Sequence, residues 1–134
     1  MTKIWERLYL GNFKDAEGLT NANACGITAV VSLCEDAVRR AANIRCVHLP
    51  VADSRPIAAQ SFDAIMLAIS DGVQRGNLLV HCVGGSSRSP IMVAAWLHRC
   101  GYAAIDKALA QIAEMRDIDP SPVLLKSVRE ALTR

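Results

Sequence analysis

Apolar positions along this 134-residue chain fall into two kinds of run. Short, β-branched-rich runs at Ile4 to Leu10, Ile27 to Leu33, Ile44 to Leu49 and Leu78 to Cys82 predict strands. Turn residues border them: Gly11-Asn12, Cys25-Gly26, Pro50 and Arg75-Gly76-Asn77. Elsewhere the period lengthens. Phe62, Ile65, Met66, Ile69 and Val73 recur at helical spacing, and Asp36 to Asn43 predicts a short helix. Three helical patterns follow Cys82. The first runs from about Ser89 to Cys100 and stops at Gly101. The second places Ile105, Ala108, Leu109, Ile112 and Met115 on one stripe. The third opens at Ser121-Pro122, a cap followed by a residue suited to the first helical position. Its stripe is Leu124, Leu125, Val128, Ala131 and Leu132. Met92, Trp96 and Met115 are expected in the core. Strands alternating with helices predict an α/β fold, a central, mostly parallel sheet of four to five strands covered by helices on both faces.

Bulk properties narrow the classes. Half of the residues are hydrophobic (51%) and 21% are charged, a globular composition, and residues 1–134 are read as one domain. A net charge of +2 gives no argument for nucleic acid or for a membrane surface. Lys3, Glu6 and Arg7 interrupt the one apolar stretch near Met1, so no signal peptide is expected there. No apolar run approaches the ~20 residues that span a bilayer. The cysteines, Cys25, Cys34, Cys46, Cys82 and Cys100, are odd in number and form no Cys-x-x-Cys. No metal site is expected, and a reducing cytoplasm is the expected location. His48 and His98 have no ligand-spaced partners and are read as structural, and Arg39-Arg40 as a solvated helix end.

The chemistry concentrates in Leu78-Leu79-Val80-His81-Cys82-Val83-Gly84-Gly85-Ser86-Ser87-Arg88-Ser89. A strand delivers a cysteine into a loop of glycines and serines, and a helix begins at once. Small residues let the backbone N–H groups of Val83, Gly84, Gly85, Ser86 and Ser87 converge on an anion. The helix N-terminus adds positive potential. Arg88 supplies a planar fork matched to two phosphate oxygens. Such surroundings favour the thiolate of Cys82, the nucleophilic form. Spacing alone means little, since a Cys-x5-Arg arises by chance in about one such chain in three. A second copy stands at Cys34-Glu35-Asp36-Ala37-Val38-Arg39-Arg40. Its two carboxylates would repel phosphate and it lacks glycine, so only the loop at Cys82 qualifies.

The chain resembles cysteine-dependent protein phosphatases of the compact, atypical dual-specificity group. Leu8-Tyr9-Leu10-Gly11 and Gly26-Ile27-Thr28 resemble that family's first strands. Val51-Ala52-Asp53 resembles its general-acid loop, His81 to Ser89 its signature, and Ala94-Ala95-Trp96-Leu97 its buried helix. The resemblance implies a protein tyrosine phosphatase-like fold. It also implies metal-independent, cofactor-free hydrolysis of phosphomonoesters on phosphotyrosine and phosphoserine/threonine proteins, through a phosphocysteine intermediate. Where the family usually has Ala-Gly, this chain has Gly84-Gly85, as kinase-associated phosphatases do.

In these terms Cys82 is the nucleophile, Arg88 binds the phosphoryl group, and Asp53 is the general acid that the loop itself lacks. Asp63 and Asp71 lie on a predicted helix and are poorer candidates. The resemblance gives His81 a part in supporting the thiolate and Ser89 a part in stabilising Cys82 as it leaves. Ser87 and Ser89 are equally good helix caps. It further suggests Cys34 as a reversible disulfide partner of Cys82. Expected partners are phosphoproteins, without nucleic acid or membrane, and a monomer is favoured. Phosphoinositide, glycan or RNA 5′ phosphates are the alternative substrates, and a non-catalytic phosphate-binding module the alternative class. An arsenate reductase is excluded because Asp53 precedes Cys82, which lies past mid-chain.

Overall fold

The computed structural model describes every residue but Arg40. Its centre is a five-stranded sheet of order β1-β2-β5-β3-β4, built from β1 (Thr2–Trp5), β2 (Leu8–Gly11), β3 (Ile27–Ser32), β4 (Arg45–His48) and β5 (Asn77–His81). All neighbours are parallel except β1, which runs antiparallel to β2. The expected α/β fold, with its mostly parallel sheet and flanking helices, is the one observed. Strand β5 lies in the middle, with Leu10 of β2 and Val31 of β3 both opposite Val80.

Alternation along the strands divides the core in two. Ala29, Val31 and Leu33 share a face with Leu78, Val80 and Cys82, and this face packs on α2 (Ala59–Arg75), α3 (Arg88–Arg99), α4 (Ile105–Met115) and α5 (Pro122–Leu132). Val30 and Leu79 point the other way, towards Ala16 and Leu19 around α1 (Phe13–Gly18). Helix α3 is the hub, buried continuously from Arg88 to Leu97. Each fully buried Leu, Ile or Phe here contributes roughly 1.5–3 kcal/mol. Helix α2 approaches β5 at Gly72, where an added Cβ would stand 2.7 Å from a Leu78 methyl.

Four sequence expectations change. Ile4 to Leu10 is two strands, not one, because Arg7 adopts a left-handed φ of 60° and reverses the chain. Among the described residues no helix forms over 36–43. The segment instead lies over the smaller core through Val38 and Ala41, and Arg39 is solvated there, with Glu17 accepting from its backbone N–H at 3.1 Å. Its neighbour Arg40 falls outside the described residues. Helix α1 is additional, opened by reciprocal bonds between Asn12 and Asp15. Met115 is 48% exposed at the end of its stripe, whereas Met92 and Trp96 are buried as expected.

Candidate active site

Strands β3, β4 and β5 all end at one edge of the sheet, and the chain leaves each of them carrying a candidate residue: Cys34, Asp53 and Cys82. The loop from Cys82 to Ser87 turns directly into α3, so the strand aims the thiol at the start of that helix. The hydroxyl of Ser89 lies 3.1 Å from Cys82 Sγ, and the backbone N–H of Ser89 points at the same sulfur from 3.4 Å. Ser89 therefore faces the thiol. Ser87 occupies the N-cap position, but its hydroxyl accepts from the backbone N–H of Ser121 at 2.9 Å instead of capping its own helix.

The polarity of the loop backbone is one-sided. Its carbonyls are engaged outward: Val83 O accepts from Phe13 N at 3.0 Å, and Ser86 O from Asp119 N at 2.7 Å. The N–H groups of residues 83–87 donate to no acceptor among the described residues. Five donors without a partner among the described residues thus stand in a short loop at a helix N-terminus, where an oxyanion could engage them. Gly85 makes this possible. It sits at φ +69°, and a Cβ there would lie 2.5 Å from a guanidinium nitrogen of Arg116 and 2.8 Å from Gly11 O. Gly84 is freer, since its added Cβ would meet only Ser86 Oγ at 3.4 Å.

Arg88 is buried, and its Nη1 donates to Val51 O at 3.0 Å and to Glu35 Oε1 at 3.2 Å. Its Nε and Nη2 have no partner among the described residues. That edge of the guanidinium remains for a bidentate anion. Asp53 is exposed in the loop between β4 and α2, and its carboxylate makes no hydrogen bond or ion pair with a described residue. Two residues before it, Val51 holds the same loop to Arg88. Asp63 and Asp71 lie on α2 and are paired with arginines, Asp63 with Arg99 and Asp71 with Arg45 and Arg75.

His81 is fully buried under the loop, its Nδ1 3.2 Å from Cys82 O and its ring edge-on to Phe13. Burial pushes its pKa below the ordinary 6.5, outweighing the opposing effect of the bond to Cys82. The neutral imidazole then donates from Nδ1 to that carbonyl. Cys34 is buried and free, its thiol contacting Ser32 Oγ and Asp36 O at 3.5 and 3.4 Å. His48 bonds Cys34 O at 2.6 Å, a structural part as expected, and His98 is exposed near the end of α3.

Two contributors were not evident from sequence. Glu35 counted against its own loop, yet it is the counter-charge of Arg88. Arg116 supports the loop from beneath, with Nη1 donating to Leu10 O at 2.8 Å. A buried arginine beside an anion site demands an acidic neighbour, and that demand was the available signal for Glu35.

Residues 8–133 match the family model described as dual specificity phosphatase, catalytic domain. The chain belongs to the dual specificity phosphatase family. This membership places it among the protein phosphatases, which are hydrolases. It is 31% identical over 133 residues to dual specificity protein phosphatase 15 of Rattus norvegicus, covering 97% of this chain and 56% of that protein. With dual specificity protein phosphatase 22-A of Danio rerio it shares 32% identity over 99 residues, 72% of this chain and 48% of the relative. The chain thus spans about half the length of these curated relatives. Human DUSP28 has the same fold, with a TM-score of 0.86 at 21% identity over 99% of this chain and 96% of that one. No described helix is long and apolar enough to cross a membrane. Among the described residues, no group of three or more His, Cys, Asp or Glu is placed to hold a metal ion.

Proposed function

We propose that residues 1–134 act as one catalytic domain, cytoplasmic and monomeric, that hydrolyses phosphotyrosine and phosphoserine/threonine in proteins without metal or cofactor. The observation that carries this reading is the surroundings of Cys82 Sγ. A serine hydroxyl lies 3.1 Å away, while the loop N–H groups and one edge of Arg88 have no partner among the described residues.

In the first step the Cys82 thiolate attacks phosphorus, forming an S–P bond as the ester P–O bond breaks. The loop N–H groups and Arg88 hold the phosphoryl oxygens and stabilise the charge of the transition state. Asp53 gives its proton to the departing oxygen. In the second step the Asp53 carboxylate takes a proton from water as that water attacks phosphorus. The S–P bond breaks, phosphate leaves, and the electron pair returns to sulfur, where Ser89 donates a hydrogen bond to the thiolate. His81 supports the same loop through Cys82 O.

A shallow cleft supports dual specificity. Val83 is 54% exposed and Gly84 is exposed, so the cradle opens close to the surface, within reach of a short phosphoserine as well as a long phosphotyrosine. The test is phosphate release from a phosphotyrosine peptide and a phosphothreonine peptide in excess chelator, beside Cys82→Ser. Release of phosphate from both peptides, lost in the variant, supports the reading. Turnover only of a lipid, glycan or RNA phosphate changes the substrate class, and no turnover of any phosphomonoester leaves a binding module.

A further inference from the structure

The loop carrying Asp53 hangs between two attachments. At one end, Val51 donates its N–H to Leu33 O at 2.8 Å and accepts from Arg88 Nη1 at 3.0 Å. At the other end, Ile57 packs its own side chain on the main core, and one other side chain holds its backbone. Ser127 Oγ, on α5, accepts from Ile57 N at 2.9 Å and donates to Ile57 O at 3.3 Å. One hydroxyl therefore satisfies both backbone groups of one residue. Between these points, residues 52–56 make no hydrogen bond to any described residue, and Ser54 is held at a left-handed φ of 59°. Ala52 to Pro56 are all exposed, so packing does little to fix the segment. Its course is set by its two ends, and the Ser127 end belongs to a helix far away in sequence.

We propose that Ser127 is a positioning residue for proton transfer, fixing the acid-bearing loop so that the Asp53 carboxyl reaches the leaving oxygen. The proposal rests on the assignment of Asp53 as general acid. Ser127 touches neither substrate nor Cys82, and its effect passes entirely through the backbone of Ile57. Loss of the hydroxyl leaves an N–H and a carbonyl unpaired at the loop's exit, and the segment then adopts other courses.

General-acid help matters in proportion to the basicity of the leaving group. An alkoxide leaving group needs the proton, whereas para-nitrophenolate leaves without it. In the first step, a defect in Asp53 delivery therefore appears with one substrate class and not with the other, whereas the attack of water, in which Asp53 also serves, is common to both. A merely weakened α5 would depress both rates together.

The experiment measures kcat/KM, which reports the first step alone, for an alkyl phosphate and for para-nitrophenyl phosphate in the full chain and in Ser127→Ala, Ser127→Thr and Asp53→Asn. Ser127→Ala is expected to lose about tenfold on the alkyl phosphate, part of the roughly 10²–10⁴-fold that general acid catalysis supplies, and less than twofold on para-nitrophenyl phosphate. Ser127→Thr, which keeps the hydroxyl, is expected to restore the alkyl rate. Equal losses on both substrates, or no loss on either, overturn the proposal. So does a loss that Ser127→Thr leaves in place. Asp53→Asn separates the two readings. If it spares the alkyl rate, the acid assignment has failed. If it abolishes that rate while Ser127→Ala does not lower it, only the role of Ser127 has failed.

Discussion

The Glu35 carboxylate sits 3.2 Å from Nη1 of Arg88, one partner two-thirds exposed and the other buried. An acidic group beside the proposed phosphate site is costly unless it serves the cation assigned to bind the phosphate. Here it occupies only Nη1, the nitrogen that Val51 O also engages, and leaves the Nε–Nη2 edge without a partner among the described residues. Replacing Glu35 with Ala is expected to raise the inhibition constant for inorganic phosphate and to lower kcat/KM about fivefold, about 1 kcal/mol of lost transition-state binding. Because Glu35 is so exposed, Tm should hardly move. In an Arg88→Lys background the same substitution should have little further effect, and equal losses in both backgrounds would refute the coupling.

Adjacent glycines of the loop should respond in opposite ways. Gly84 has ordinary room for a methyl group, so Gly84→Ala should leave activity within about threefold and stabilise the fold by about 0.5 kcal/mol through the unfolded chain. Gly85→Ala would force a left-handed alanine against Gly11 O and Arg116. It should lose phosphate binding, measured as protection of Cys82 from alkylation, and cost about 1–3 kcal/mol in denaturant titrations.

Burial lowers the pKa of His81 in the folded chain, so the unfolded chain binds its proton more readily. The stability associated with the neutral ring is therefore complete above the unfolded value near 6.5 and declines as pH falls below it. Denaturant midpoints from pH 8 to pH 5 should fall for the parent. The fall should be shallower in His81→Asn, which keeps a side-chain donor and cannot titrate. Parallel curves would show that His81 is not the group responsible.

Ser89→Ala removes the hydroxyl 3.1 Å from Sγ without changing the path of the leaving alkoxide. The second step should slow more than the first. Rapid mixing with para-nitrophenyl phosphate is expected to give a burst of one equivalent, followed by a steady rate about tenfold below the parent. A uniform reduction without a burst would place the effect on attack instead.

How far the sequence disclosed all this depends on whether a feature was local. The strand at Leu78, the loop to Arg88 and the stripe of α2 were legible because period, turn residues and small side chains lie together in the chain. The reversal at Arg7 was not, because nothing in Glu6-Arg7 marks a turn. The left-handed residue is held from outside, by Arg7 Nη1 on the carbonyls of Val73 and Gln74 and by Leu78 N on Arg7 O. Asp36 to Asn43 has helical composition, but the apolar face beneath α1 draws Val38 and Ala41 into an irregular cover. The pairing of Asn12 with Asp15 was readable and marks α1. Glu35 and Ser127 act across the fold, on Arg88 and Ile57, and no local pattern reports such a partner.

The anchoring of the phosphate loop also has a consequence in time. Ser86 and Ser87 are tied to Asp119 and Ser121, and Val83 to Phe13, so the loop is clasped by residues that precede it and residues that follow it far away in sequence. A chain emerging from the ribosome exposes Cys82, Arg88 and Asp53 well before residues 119–121 can close the clasp. On the proposed assignment, Cys82 has no ordered donors around it during that interval, and the cradle is complete only once residues 119–121 are in place.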